Sequence, residues 1–396
     1  MDAIGVKAAA ATRLISLDVF RGLTMAGMVI VNNPGDWGNV YGPLLHAPWH
    51  GWTPTDLIFP FFLFIVGVSI TLSRKSASWG TIAWRAAIIF ALGLFLAGFP
   101  RFNLERWRIP GVLQRIAICY FVAAGLYRLT AGSKDPAYNS TKDPAYNSVN
   151  VGRVFRPGNQ PKTLAAIAVA LALAYWAVMM LVPPPGGVAG DLTPEGNLAA
   201  WIDRELMSGH LWRPTWDPEG LLSTIPAIST TLLGILAGLC LGQPWPPERK
   251  ALWLALGGTI ATTTGISWGF MFPINKNLWT SSYAIFTAGL GSLLLAACYW
   301  IIDVKGWKGW TKPFVILGTN AITLFVASGL LVKTLALIRV STDDGREIAV
   351  NRYAYQQWFV PLASPKNASL LYAVANLIIL FLLLAWMYRR RLFLRV

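Results

Sequence analysis

Long apolar stretches constrain this chain more than any motif does. Several run 17 or more residues with at most one charged side chain, the length a helix needs to cross the hydrocarbon of a bilayer. The composition agrees: of 396 residues, 55% are apolar and only 13% charged, where a soluble domain carries about a quarter. Mean hydropathy is +0.50, and the chain holds 19 Trp and 19 Phe. A soluble globular enzyme, a disordered chain and a disulfide scaffold are excluded. The sequence predicts an all-α, polytopic membrane protein.

Ten spans are expected, at 14–32, 57–73, 80–98, 111–129, 163–182, 221–242, 251–271, 283–302, 314–333 and 369–388. An even number puts both termini on one side. The termini and even-numbered connections, counted with Arg128 at the end of the fourth span, hold 19 Lys and Arg, against ten in the odd-numbered connections. The positive-inside rule therefore predicts cytoplasmic termini. The connection 33–56 has no Lys or Arg and reads as external, as do 99–110, 183–220, 272–282 and 334–368. A linker at 130–162 carries a tandem repeat, KDPAYNST then KDPAYNSV, and reads as exposed cytoplasmic chain. One transmembrane domain spanning 1–396 is expected.

The net charge of +15 does not point to nucleic acid, because the basic residues form no tract that tracks a phosphate backbone. They sit at the ends of apolar segments. Cys119, Cys240 and Cys298 fall inside apolar segments at no ligand spacing, and read as packing residues. With three histidines and no usable cysteine, a metal site is not expected. No cleavable signal peptide is evident, since charged residues interrupt the start of the first segment.

Ionisable groups within apolar spans are costly and are functional candidates by default. Asp18 and Arg21 sit three residues apart on the first span, and Asn32 follows about three turns later on nearly the same face, with Met25 and Met28 between. That stripe could line a path between the two sides, or simply anchor the helix. The next loop carries His46 and His50; imidazole is the side chain best matched to proton transfer near pH 7. Asp56, in Thr53-Pro54-Thr55-Asp56, reads equally as a helix cap. Arg108, Gln114 and Arg115 are expected at the same external end, with Asp217, Glu219, Asn275, Lys276 and Asn277. Together they suit a polyhydroxylated or charged ligand, and singly they read as snorkelling anchors.

These residues fall in blocks that resemble one family. RLISLDVFRGLTMAGMVIVNN, HAPWHGWTPTDLIFPFFLFIVG, RIPGVLQRIAICYFVAA, DPEGLLSTIPAI, PINKNLWTSSYA and PFVILGTNAITLFV resemble, in order, the transmembrane heparan-alpha-glucosaminide N-acetyltransferases, in a form without their lumenal N-terminal domain. The resemblance implies an acyltransferase, commonly homodimeric, that passes an acetyl group from cytoplasmic acetyl-CoA to an amino sugar across the membrane. It implies His46 as the catalytic histidine and Asn32 as a pore-facing asparagine; Asp56 or a backbone carbonyl is then expected to orient the ring. Arg21, Arg74, Lys75 and Arg85, at the cytoplasmic ends of the first three spans, are expected to hold the CoA phosphates. No metal is implied. A bacterial plasma membrane is the expected location, and the competing expectations are an amino-sugar or sugar-acid transporter and an O-acetyltransferase of an exported glycan.

Overall fold

A computed structural model describes residues 14–73, 78–131, 159–342 and 345–394. Helix dominates. In order come α1 (Ile15–Asn32), α2 (Ile58–Leu72) behind a 3-10 turn (Pro54–Leu57), α3 (Trp79–Gly98), α4 (Val112–Ala131) and α5 (Gln160–Leu181). The short α6 (Leu198–Met207) lies in a loop that sequence left unstructured. Next are α7 (Thr224–Leu241), α8 (Pro247–Gly269) and α9 (Ser281–Tyr299), the last extended by a π turn (Trp300–Val304). The chain ends with α10 (Lys312–Thr319), α11 (Ala321–Leu337), α12 (Val350–Ala354) and α13 (Pro365–Arg389). One antiparallel ribbon, β1 (Arg339–Ser341) with β2 (Glu347–Ala349), sits in the last long loop, pairing Val340 with Ile348.

Among the described residues eight helices are long and apolar enough to cross a membrane, or nine if α10 and α11 are one broken span. All ten expected stretches form helix, and two of them depart from a plain apolar span. The stretch 251–271 does form a helix, α8, but its charged first turn and its threonines at 262–264 keep it less apolar than the others. Its outward side chains Leu252, Trp253, Leu256 and Ile260 are nonetheless apolar and exposed. The span expected at 314–333 is bent by 79° at Asn320. There the buried Asn320 side chain donates to the Leu392 carbonyl and accepts from the Leu394 N–H, both at 3.2 Å. Irregular backbone at membrane depth persists where protein satisfies its polar groups, as the returning tail does here.

Helix pairs approach closely where glycines face them. A Cβ at Gly67 of α2 would overlap the Thr231 carbonyl of α7, and one at Gly234 of α7 the Phe64 carbonyl of α2. Gly22 of α1 and Gly318 of α10 meet the Phe314 and Asp18 carbonyls in the same way. Small residues at such crossings replace the hydrophobic drive that lipid does not supply. The result is a bundle in which α7, α1 and α9 are the most buried spans.

Candidate active site

The loop after α1 returns to α2 through a turn that Asp56 organises. Asp56 N–H donates to the Thr53 carbonyl at 3.0 Å, and Asp56 Oδ2 accepts from the Thr53 N–H at 2.9 Å and the Ala47 N–H at 3.0 Å. The other oxygen, Oδ1, lies 2.6 Å from His46 Nδ1. Asp56 therefore caps the helix start and contacts the imidazole with the same carboxylate. A carboxylate that accepts several N–H groups is the acceptor here, so Nδ1 carries the proton of this contact. The buried Tyr283 hydroxyl donates to the Asp56 carbonyl at 2.5 Å, holding the turn from beneath.

Lys276 reaches the same ring from the loop between α8 and α9, with Nζ 3.4 Å from both His46 nitrogens. Burial pushes the Lys276 ammonium below its usual range, and the Glu219 and Asp56 carboxylates partly restore it. The loop owes its course to Trp279, which is buried and left-handed at φ 47°. Such a backbone is costly for a bulky residue and persists only where packing over-determines it. Phe59 at 4.9 Å, Tyr283 at 5.3 Å and the Arg115 guanidinium at 5.1 Å supply that packing. Gly51, at φ 93°, lets the histidine loop turn and donate from its N–H to the Ile274 carbonyl at 2.7 Å.

A cavity of about 100 Å³ opens against His46, lined by Asn32, Thr55, Glu219 and Lys276 and walled by Met25, Met28 and Phe325 among others. A second cavity, about 280 Å³, lies toward the start of α1 and is lined by Arg21, Ser69, Arg85 and Gly318. Phe62, Ile116 and Ile322 line both cavities and so form the neck between them. The α1 stripe runs along this path, with Arg21 in one cavity and Met25, Met28 and Asn32 in the other. Arg21 is engaged by Asp18 Oδ1 at 3.2 Å, Ser69 Oγ at 3.0 Å and the Gly318 carbonyl at 3.3 Å. Arg85 is half-buried and has no hydrogen-bond or ionic partner among the described residues.

The remaining expected residues divide. Arg108 clamps Asp217 through two bonds, at 2.8 and 2.7 Å, and meets Glu219 Oε2 at 2.5 Å. Both carboxylates raise its pKa against the effect of burial, so it stays charged. Arg115 is fully buried and donates to the Gly220 carbonyl at 3.0 Å and Ser223 Oγ at 2.5 Å. Asn275 fastens its own loop, accepting from the Leu278 N–H at 2.9 Å, and its Nδ2 lies 3.3 Å from His50 Nδ1. Gln114, packed against Gly93 and Gly111, joins Arg115, Asn275 and Asn277 in not lining the cavity beside His46. Arg74, Lys75 and the 134–149 repeat lie outside the described residues. No group of three His, Cys, Asp or Glu able to hold a metal occurs among the described residues. Sequence reasoning missed Tyr283, Trp279 and the neck residues, which are apolar or aromatic and carry no chemical signature of their own.

Comparison with known proteins fits this geometry. The sequence model of the family described as heparan-alpha-glucosaminide N-acetyltransferase, catalytic, matches residues 13–134. That segment holds His46, Asp56, Asn32 and the neck residues Phe62 and Ile116. The human heparan-alpha-glucosaminide N-acetyltransferase is 32% identical over 361 residues, covering 79% of this chain and 52% of the relative. Over most of its length the chain is similar to this family. The mouse enzyme of the same name is 31% identical over 370 residues, covering 81% of this chain and 54% of that protein. The chain thus spans about half the length of the curated relatives it matches.

Proposed function

We propose that this chain is an integral membrane N-acetyltransferase that carries an acetyl group from acetyl-CoA, bound from one side, to the amine of a glucosamine-type sugar on the other. The observation that carries the reading is the pair of cavities sharing the wall Phe62, Ile116 and Ile322, one reaching Arg85 and the other the His46–Asp56 pair. CoA phosphates call for cations outside the neck. Arg85, unpaired among the described residues, and Arg21 beside it fit that need, and the arm of the thioester would have an apolar neck to cross. The excess of Lys and Arg on the even-numbered connections assigns the Arg21 end to the cytoplasm. The whole chain is read as one catalytic domain, working as a homodimer in a bacterial plasma membrane.

In this reading Asp56 holds the His46 ring so that Nε2 faces the cavity. As the acceptor amine attacks the acetyl carbonyl, Nε2 takes the amine's proton and later returns it to the departing thiolate sulfur. The C–N bond forms, the C–S bond breaks, and the products are an amide and a thiol. Asn32, at the end of α1 and free of hydrogen bonds among the described residues, can donate to the carbonyl oxygen as charge develops there. Glu219 and Lys276, on the cavity wall, are the groups for the sugar's ammonium and hydroxyls. The other nominated polar residues, Arg108, Asp217, Arg115, Gln114, Asn275 and Asn277, position this wall.

The test is transfer of labelled acetyl from acetyl-CoA to glucosamine by purified protein, beside His46→Ala. Labelled N-acetylglucosamine from the parent protein and none from a folded variant supports the proposal. Label appearing on the protein without acceptor, and lost in the variant, places the acetyl group on His46 itself before transfer. Product only with hydroxyl acceptors assigns O-acetylation, and amino-sugar counterflow without any CoA-dependent product overturns the enzyme reading in favour of transport.

A further inference from the structure

A third large cavity lies away from the site just described. It measures about 720 Å³ and runs between α10 and the last turns of α13. Its upper wall is apolar, built from Pro313, Ile316, Phe381 and Leu382. Its far end holds three exposed cations, Lys312, Arg389 and Arg391, and no acidic residue lines it anywhere. None of the three has an ion pair or side-chain hydrogen bond among the described residues. Trp386, Tyr388 and Phe393 stand beside them, the aromatic side chains that favour the level of lipid headgroups.

The groove faces outward from the bundle. Ile378, Ile379, Leu382 and Trp386 of α13 are all exposed, as a lipid-facing helix requires. The neck and its cavities lie on the opposite side of α10, toward α1, where Gly318 packs on Asp18. An apolar trough ending in unpaired cations matches one class of molecule, a lipid whose acyl chains follow the trough and whose phosphate meets the cations. Basic pockets between membrane helices, flanked by aromatic residues, recognise anionic headgroups in this way. We propose that this groove binds an anionic phospholipid, with Lys312, Arg389 and Arg391 holding its phosphate and headgroup.

The charges sit at the ends of α10 and α13, where a positive cluster and the N–H groups opening α10 act on the same phosphate. A zwitterionic lipid offers the phosphate with its own cation attached, so it gains less from the site. The preference is therefore for phosphatidylglycerol over phosphatidylcholine. It does not depend on what the protein catalyses.

The experiment is native mass spectrometry of the purified full chain, released from detergent after equilibration with phosphatidylglycerol or phosphatidylcholine at equal concentration. The parent protein is expected to keep phosphatidylglycerol in clear excess, with roughly fivefold lost per cation removed. Lys312→Gln combined with Arg389→Gln and Arg391→Gln is expected to abolish the excess. Arg390→Gln, next in sequence but absent from the groove wall, is expected to retain it. All four side chains are exposed, so folding is not at stake, and melting temperature in detergent checks it. Equal retention of both lipids by the parent, or the same excess in the triple variant, overturns the proposal. Displacement of phosphatidylglycerol by added CoA also overturns it, because the cations would then serve a nucleotide phosphate.

Discussion

His46 and Asp56 lie ten residues apart yet meet at 2.6 Å, because the capping turn that starts α2 uses the same carboxylate. That shared use gives two substitutions with separable outcomes. Asp56→Asn removes the acceptor that fixes the ring, and transfer is expected to fall about 10²–10⁴-fold, the range general-base positioning covers. Thr53→Ala removes the hydroxyl that donates to the Leu45 carbonyl at 2.6 Å and to Asp56 Oδ2 at 3.2 Å but leaves the Asp56–His46 contact in place, at about 1 kcal/mol, with kcat near that of the parent. Initial rates and thermal melts on the same preparations check both. Asp203 supplies a pH dependence elsewhere. It is buried on α6 and accepts from the Leu221 N–H at 2.9 Å. Burial pushes its carboxyl up to about 6, with Asp217 adding to the effect and the Leu221 N–H opposing it. The unfolded value is 3.8, so the folded chain holds this proton more tightly. Its stabilising contribution is present below about 4 and is lost as pH rises to about 6, on the order of 3 kcal/mol at full shift. Melting temperature across that window should drop for the parent protein and stay flatter for Asp203→Asn.

Among the elements, the apolar spans were readable because membrane length and backbone satisfaction leave a helix few alternatives. The bend at Asn320 was not, since what permits it is the returning chain at 392–394, far away in sequence. The same applies to the left-handed Trp279, held by residues from α2, α4 and α9. Close glycine crossings are similarly invisible in sequence, where the chain's 36 glycines look alike. The structure separates them. Gly67 meets the α7 backbone, whereas a Cβ at Gly257 would meet nothing within 4 Å. Gly67→Val must push two backbones apart, at a cost of about 3 kcal/mol, while Gly257→Val meets no overlap and does not lower helix propensity. A large loss of folded protein for the first and little for the second, measured by size-exclusion profiles and melts in detergent, is the expected contrast.

For the whole molecule, His46, Asn32 and Asp56 could be nominated from motif and resemblance, whereas their relation to Arg21 and Arg85 required the bundle. The two groups lie in different cavities, and only Phe62, Ile116 and Ile322 join them. In the proposed function donor and acceptor approach the chemistry from opposite ends, which has a kinetic consequence. Ile322→Trp adds bulk where the two cavities meet, so transfer should fall by two orders of magnitude or more, given that misplacing reacting groups by about 1 Å costs about 10²-fold. Acceptor KM should be unchanged, because the acceptor does not pass the neck. Glu219→Gln should do the converse, raising acceptor KM about tenfold or more through loss of a charge-assisted bond while leaving donor KM alone. Two-substrate kinetics on both variants decides it. If Ile322→Trp raises acceptor KM and spares transfer from saturating donor, the neck is not on the donor's route and the two-sided arrangement is wrong.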